Sequence, residues 1–375
     1  MGRWENTFLH FFYRQHILSV PFLPTTLDLT GQTSIVTGSN TGLGYHSAKQ
    51  LLNARLSVLI MAVRNREKGI TAAKKIREEF MRDHPDWQCP TIKVWILDMS
   101  SYDSVLAFSK RVEEEAGHVD IAILNAGVQT DKWEVSGHGH EMDVQVDYLS
   151  TALLALELRK IMHESYVAAV KEGKTPKKQP VLELVGSDAT NFAKLPELTV
   201  AQKHNLPLLS TLAIAPGERP ELGLKYDAVD RYSDAKLLEH MFFIEFTRRL
   251  SPPPSSSERS EADPTTLSNN EVITTLVSPG LCRTDLQGKH QGLKSYIFVA
   301  FIYINGRTPE AGGRTLTLGS TVGREGHGNY FSEGAPFCQP DFLEEERGRE
   351  ASVRLWEEMS AEFRKQGVDT ERLMS

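Results

Sequence analysis

The sequence predicts an α/β protein built on a single doubly wound parallel sheet of about seven strands flanked by helices. Short apolar runs of strand length alternate with helical stretches along most of the 375 residues. Strands that alternate with helices imply parallel pairing with right-handed crossovers. A glycine-rich turn joins the first strand to the first helix of this series, and an apolar content of 40% is sufficient for a globular core.

The predicted elements follow one another in a regular order. Apolar runs predict strands at 34–36, 57–62, 92–97, 121–124, 181–185 and 272–277. Helical patterns cover 45–52, 65–82, 142–168, 226–250 and 342–364. Residues 251–270 are low in apolar residues, and we expect a disordered surface loop there. We expect residues 1–26 to form an N-terminal extension and residues 27–375 to form a single domain.

The turn at residues 37–44 (TGSNTGLG) predicts a dinucleotide site, because it lies between a strand and a helix. Gly38 allows a sharp turn, Gly42 lets the backbone approach a pyrophosphate, and Gly44 lets the helix pack close to the strand. The N-terminus of the helix then directs its N–H groups at the phosphates. The residues expected at the cofactor are Thr37, Gly38, Asn40, Thr41, Gly42, Leu43 and Gly44.

The ends of the second and third strands predict how the adenosine half of the cofactor is bound. An NAD site carries an acidic residue at the end of the second strand, whereas an arginine there accommodates the 2′-phosphate of NADP. This chain has no acid at that point and offers Arg64, which favours NADP(H). Asp98 closes the third strand and either accepts a hydrogen bond from the adenine amino group or caps the next helix near Ser101.

Two residues on the predicted helix 226–250 indicate carbonyl chemistry. Tyr232 and Lys236 are four positions apart and share a helix face. A free phenol has a pKa of about 10, and a nearby ammonium lowers it. Ser187, at the end of the fifth strand, can hold a carbonyl oxygen near the phenol. Tyr232 would then supply a proton while a nicotinamide supplies the hydride.

These residues, in this order, resemble the short-chain dehydrogenase/reductase family, in the branch of retinol-dehydrogenase-like enzymes and fungal biosynthetic reductases. The resemblance spans residues 27–365. Besides the 37–44 turn, the matching motifs are Asp98, Leu124-Asn125-Ala126-Gly127, Gly186-Ser187, Tyr232-Ser233-Asp234-Ala235-Lys236, and Pro279-Gly280 with Thr284. The resemblance implies a Rossmann-type domain and an NADP(H)-dependent enzyme that interconverts a ketone or aldehyde and an alcohol.

The resemblance also implies a role for each matching residue. Tyr232 is the implied acid/base, Lys236 binds the nicotinamide ribose and tunes Tyr232, and Ser187 positions the substrate oxygen. Further implied cofactor contacts are Arg64, Asp98, Met99, Asn125, Ala126, Gly127, Pro279, Gly280 and Thr284.

One catalytic position departs from the family pattern. Asp147 stands where the family usually has an asparagine that holds a water in a proton relay to the lysine. An ionised aspartate accepts hydrogen bonds but cannot donate them. The relay is therefore either functional with a shifted pH profile or impaired, and we favour the first because the other catalytic residues are intact.

Two stretches predict a bulky, apolar substrate. The segment between Ser187 and Tyr232 is longer than is usual in the family, so we expect the insertion at 192–224, rich in Leu and Pro, to cover the pocket. The apolar run at 296–304 lies where such enzymes place a substrate lid, although a plain core helix explains it equally well. By family resemblance, an intermediate of secondary metabolism is a plausible substrate.

Composition limits partners and location. A net charge of −7 argues against nucleic-acid binding, and three widely spaced cysteines indicate a reducing, cytoplasmic location. The aromatic stretch at 8–14 either packs on the domain surface or makes shallow contact with a membrane. We expect no metal site, because the cluster at 138–141 (HGHE) lacks an evident third ligand.

Two alternative functions and the oligomeric state stay open at this point. The first alternative to the reductase is a protein that binds NADPH without turnover, for which Asp147 is the only support. The second is a membrane-surface dehydrogenase acting on retinoids or sterols. Many family members form homodimers through the helices that correspond to 142–168 and 226–250, although the insertions can obstruct such pairing.

Overall fold

A computed structural model describes residues 7–173, 178–250, 271–284, 286 and 301–375. Its centre is an eight-stranded sheet with the order β3-β2-β1-β4-β5-β6-β7-β8. The strands are β1 (Thr33–Thr37), β2 (Val58–Val63), β3 (Thr91–Ile96), β4 (Ile121–Leu124), β5 (Val181–Val185), β6 (Ile273–Ser278), β7 (Tyr330–Ser332) and β8 (Ala335–Pro336).

The helices lie around this sheet. In the described part of the chain they are α1 (Phe8–Ile17), α2 (Gly42–Asn53), α3 (Arg66–Asp83), α4 (Tyr102–Glu115), α5 (Thr151–Lys171), α6 (Pro196–His204), α7 (Leu208–Leu212), α8 (Ala228–Leu250), α9 (Pro309–Gly319), α10 (Asp341–Glu344), α11 (Glu346–Lys365) and α12 (Thr370–Met374). Residues 301–305 are also helical. No helix within the described residues is long and apolar enough to cross a membrane.

The predicted fold class is confirmed. Strands β1 to β7 pair in parallel, and the short β8 adds an antiparallel edge to β7, which makes eight strands where about seven were expected. The central strands β1, β4, β5 and β6 are buried throughout because each face of the sheet is covered. Ile35 belongs to one buried cluster and its neighbour Val36 to the other. The carboxyl ends of β1 and β4 lie at the switch point of the strand order, where α/β proteins bind ligands.

Two predicted helices differ from the structure. The predicted helix 142–168 begins as a π-helical segment, Val144–Ser150, before α5 follows. The predicted helix 342–364 is divided into α10 and α11 at Glu345, which has extended backbone angles. Both boundaries depend on local backbone geometry that apolar periodicity does not encode.

The insertion between Ser187 and Tyr232 folds into two short helices, α6 and α7, which pack on α11. Both carboxylate oxygens of Glu358 accept hydrogen bonds, from the backbone N–H groups of Leu208 (2.9 Å) and Leu209 (2.8 Å). The Arg354 guanidinium donates to the Leu206 carbonyl at 2.7 Å. The pocket-covering role predicted for 192–224 stays a prediction, as does the lid, of which 296–300 lies outside the described residues. The predicted loop 251–270 lies outside them as well.

The C-terminal helices cover α8 and α5. The Trp356 ring of α11 stacks on Phe242 of α8, with 5.7 Å between ring centroids and 5° between planes. The Arg159 side chain of α5 donates to the Leu373 carbonyl of α12. The two helices predicted as a possible pairing surface between subunits therefore contact helices of the same chain.

Candidate active site

The glycine turn has the geometry of a phosphate cradle. Gly38 and Gly42 have left-handed φ values of +64° and +58°. A Cβ on Gly42 would meet no atom nearer than Thr284 Cγ2 at 3.8 Å, so this backbone face is open to a ligand. The Thr41 side chain makes no capping hydrogen bond to the start of α2. The residues present therefore fit a bound pyrophosphate at the N-terminus of a 12-residue helix.

Gly44 has a packing role that the sequence analysis predicted only in outline. A Cβ at this position would lie 2.5 Å from Asn125 Nδ2 and 2.9 Å from the Gly38 carbonyl oxygen. Asn125 Nδ2 donates to the Thr37 carbonyl at 2.9 Å, and the Ala126 N–H donates to Thr37 Oγ1 at 2.8 Å. The ends of β1 and β4 are thus joined directly beneath the turn.

The residues predicted for the adenosine half lie at neighbouring strand ends. Arg64 follows β2 and is exposed, while Met99 is buried near the end of β3. Asp98 Oδ1 accepts hydrogen bonds from the backbone N–H (3.0 Å) and the hydroxyl (2.7 Å) of Ser100. The cap of α4 is Ser101, which accepts from the Ser104 N–H at 3.3 Å, so the helix-capping alternative for Asp98 is wrong.

The structure places the Ser187 hydroxyl close enough to Tyr232 to lower the pKa of its phenol. Burial raises the pKa of Tyr232 to about 12, although the Lys236 ammonium opposes this rise. The lowering expected from Lys236 is therefore present but smaller than the effect of burial. Ser187 Oγ also accepts from the Ala189 N–H at 3.1 Å, which begins the 3₁₀ turn Asp188–Phe192.

Lys236 lies in a buried polar cluster. Its ammonium donates to the Val185 carbonyl at the end of β5 and to Glu239 Oε2, both at 2.9 Å. Burial lowers the pKa of Lys236, but the charges of Glu239, Asp147 and Tyr232 outweigh it and raise the pKa above its usual value. The sequence analysis missed Glu239, although its position three residues after Lys236 on a helix was a signal that the two side chains meet.

Asp147 lies in the π-helical segment, fully buried beside this cluster. Its Oδ1 accepts from the Val128 N–H at 2.8 Å, and a Cβ on Gly127 would lie 3.0 Å from the same oxygen and 3.8 Å from Lys236 Nζ. Burial raises the pKa of Asp147 to about 6, while Lys236 lowers it. The carboxylate thus acts on Lys236 and Tyr232 as a buried charge.

The loop after β6 approaches the glycine turn through Thr284. Gly280 follows Pro279 with φ +71°, and a Cβ there would lie 3.2 Å from side-chain atoms of Gln15, Arg307 and Glu333. Thr284 lies beside Gly42. The loop predicted to line the cofactor site is therefore also packed against the N-terminal extension, a contact with no signal in the local sequence.

The histidines of the 138–141 stretch have separate partners. His138 Nε2 accepts from the Tyr102 N–H at 3.1 Å, whereas His140 Nε2 lies 3.0 Å from Glu362 Oε1 on α11. Within the described residues, no group of three or more His, Cys, Asp or Glu side chains is arranged to hold a metal ion.

Known proteins share this sequence pattern. Residues 32–165 match the family described as short chain dehydrogenase. The chain is 33% identical over 356 residues to the short chain dehydrogenase/reductase mfmJ of Annulohypoxylon moriforme, covering 94% of this chain and 90% of that protein. It is 34% identical over 339 residues to the short chain dehydrogenase opdN of Penicillium oxalicum, covering 88% of this chain and 95% of that protein.

Solved structures share the fold at lower identity. One is L-sorbose reductase from Gluconobacter frateurii, complexed with NADPH and L-sorbose, with a TM-score of 0.53, 15% identity and coverage of 84% of this chain and 99% of that chain. Another is NADPH-bound carbonyl reductase from chicken fatty liver, with a TM-score of 0.51, 15% identity and coverage of 84% and 97%. At these identities the likeness shows the fold alone.

Proposed function

The chain belongs to the short-chain dehydrogenase/reductase family and is thus an oxidoreductase, and we propose that it uses NADP(H) to interconvert a ketone or aldehyde and an alcohol on a bulky, apolar substrate. The strongest support is the position of Ser187 beside Tyr232, together with Lys236, which lies on the same helix as Tyr232 and donates to the Val185 carbonyl at the end of β5. These three side chains lie at the carboxyl end of β5, where a doubly wound sheet binds its ligands.

In the proposed mechanism each side chain holds or moves a proton. Bound NADPH supplies the hydride to the carbonyl carbon. The Ser187 hydroxyl donates a hydrogen bond to the carbonyl oxygen and orients it toward Tyr232, whose phenol gives its proton to that oxygen. The Lys236 ammonium stabilises the phenolate that remains. Glu239 and Asp147 keep Lys236 protonated through their charges, since both raise its pKa.

The preference for NADP(H) is supported by the end of β2. Arg64 is exposed directly after this strand, and Asn65, which caps α3 by accepting from the Lys68 N–H at 2.9 Å, is uncharged. A carboxylate that would repel a 2′-phosphate is therefore absent from these two positions, and the guanidinium is available to pair with the phosphate.

The proposal of an apolar substrate is supported by the composition of the 192–224 insertion and by the relatives. The 192–224 insertion contributes several buried leucines, among them Leu195, Leu198 and Leu212. Because the matching relatives are short chain dehydrogenases of fungi, we propose an intermediate of secondary metabolism as the substrate class.

The test is NADPH consumption over a panel of apolar ketones and aldehydes, with Tyr232→Phe compared with the parent. Loss of the general acid lowers turnover by about a hundredfold or more. Tyr166→Phe, which changes a tyrosine of α5 outside the site, is the matched control and keeps parental turnover. If the parent binds NADPH but consumes none with any compound, the protein holds its cofactor without turnover and our proposal is wrong.

A further inference from the structure

The N-terminal helix α1 is attached to the catalytic side of the sheet by a buried arginine. Arg14 is 3% exposed, and its Nη2 lies 2.8 Å from Asp188 Oδ2, on the residue directly after Ser187. Its Nη1 donates to Ser332 Oγ of β7 at 2.6 Å. The guanidinium also lies over the Phe337 ring, 4.2 Å from the centroid. One side chain of the extension thus contacts the loop after β5 and the strand β7.

A second set of contacts attaches α1 to the loop after β6. Gln15 Nε2 donates to the carbonyls of Leu281 (2.8 Å) and Asn305 (2.9 Å), and Gln15 Oε1 accepts from the Leu281 N–H at 3.2 Å. Arg307 Nη2 donates to the carbonyls of Arg14 and Leu18, at 2.7 Å and 2.9 Å, while its Nη1 pairs with Glu333 at 2.9 Å.

These contacts make α1 a fixed part of the fold. A buried guanidinium that loses its carboxylate partner leaves an uncompensated charge, which is strongly unfavourable. Asp188 is held from a second side as well, because the Tyr330 hydroxyl donates to its Oδ1 at 2.8 Å. These contacts hold helix α1 against the loop that carries Ser187.

The docked helix brings aromatic rings to the loop that carries Ser187. Phe192 ends the 3₁₀ turn that starts after Ser187, and its ring meets Phe11 of α1 edge-on, with 6.4 Å between centroids. Phe11 is 9% exposed, whereas Phe192 is 43% exposed. Phe12 meets Phe301 in the same edge-on manner at 5.9 Å. The exposed ring of Phe192, five positions after Ser187 in the chain, can stack with a ligand that has a ring of its own.

We propose that α1 is a permanent wall of the substrate site and that Phe192, supported by Phe11, forms a subsite for an aromatic ring of the carbonyl substrate. The proposal rests on the carbonyl chemistry proposed above. The N-terminal extension then determines which substrates fit, because it completes a site whose catalytic residues lie in the loop after β5, the π-helical segment and α8.

A polarity-sensitive naphthyl ketone, prodan, tests this subsite in the full-length protein with NADPH present. Its emission shifts to shorter wavelength when its ring enters apolar surroundings. We expect saturable binding to the parent and an affinity about tenfold lower for Phe192→Ala, because the substitution removes both the aromatic contact and its buried apolar area. Phe22→Ala is the matched control, because Phe22 belongs to the same extension but is 83% exposed.

A second pair of variants tests the attachment of α1. Arg14→Met is expected to speed hydrogen exchange of the α1 amides and to weaken prodan binding by about tenfold. Arg159→Met removes another fully buried arginine, on α5, and changes neither measurement at α1. Phe192→Ala still decides the question if Arg14→Met does not fold.

The outcomes separate this inference from the proposed function. Prodan binding that depends on Phe192, in a protein that reduces no ketone, supports the aromatic subsite and contradicts the reductase. Ketone reduction by a parent that does not bind prodan, or that binds it equally well as Phe192→Ala, supports the reductase and overturns the subsite.

Discussion

At the scale of single residues, the buried charges around Tyr232 determine how the phenol titrates. Lys236 lowers the pKa of Tyr232, whereas Asp147 and Glu239 raise it. Burial raises the pKa of Glu239 to about 7 against the effect of Lys236, and that of Asp147 to about 6. The arrangement keeps Tyr232 protonated and ready to act as an acid, which suits carbonyl reduction.

Asp147→Asn tests the effect of the relay position. Above a pH of about 6 the Asp147 carboxylate is ionised and raises the pKa of Tyr232. The asparagine removes that charge, so the phenolate fraction rises and alcohol oxidation becomes up to about tenfold faster, while ketone reduction is preserved or raised. Below that pH the parent carboxyl is protonated too, and the two pH–rate profiles converge.

The profile is measured for both directions over a range that spans this pKa. Complete loss of activity in Asp147→Asn would show that the carboxylate is required and that our interpretation of this position is wrong. A difference between parent and variant that persists at low pH would show that the charge of Asp147 is not its cause.

At the scale of elements, α6 and α7 depend on one carboxylate of α11. Glu358→Ala removes two charge-assisted hydrogen bonds to the start of α7, each of which contributes about 2 kcal/mol. We expect faster hydrogen exchange at 208–212 and, if 192–224 covers the substrate as predicted, a higher KM for bulky ketones but not for small ones.

The neighbouring residue supplies the control for this element. Glu357→Ala removes an exposed carboxylate one position away on the same helix and should leave exchange at 208–212 unchanged. Equal exchange in Glu358→Ala and the parent would show that the apolar contacts of α7, rather than this carboxylate, hold the insertion in place.

The attachment of the N-terminal extension to the domain also depends on a few buried contacts. The sequence analysis left open whether the aromatic stretch packs on the domain or contacts a membrane. Helix α1 packs through Arg14 and Gln15, and it directs Leu9, Tyr13 and Ile17 outward, where each is at least 49% exposed. Membrane contact through that outer face stays a prediction.

At the scale of the whole molecule, the coverage of α8 predicts a monomer. Trp356 stacks against Phe242 and Phe246 of α8, and the Arg249 guanidinium lies 4.8 Å from the centre of the Trp356 ring. A partner subunit would have to displace α11 to reach this helix. Light scattering after gel filtration should therefore give the mass of one chain across a wide concentration range.

A stable dimer would contradict this expectation. Removing residues 346–375 would not be a fair control, because Phe363 and Leu355 belong to the main core. Trp356→Ala keeps the helix and removes one ring, so any concentration-dependent dimer that appears in this variant would locate the pairing surface at α8.

Local sequence pattern was enough to predict the fold class correctly and to select the residues of the candidate site. Apolar runs buried on both faces specify strands. Gly38 and Gly42 are needed for their left-handed φ values, and Gly44 is needed for its close contact with Asn125. Such constraints act within a few residues, so they are visible in the chain. Local pattern also identified Tyr232 and Lys236 as neighbours.

Which distant residues surround that site depends on the tertiary structure. The π-helical turn that carries Asp147, the partnership of Arg14 with Asp188, and the packing of α11 on α8 join segments up to 174 positions apart or depend on backbone geometry. A buried charge needs a partner, but the sequence does not state which acid will pair with which arginine. The pairing is determined during folding, because burial of the apolar core decides which charged residues become neighbours.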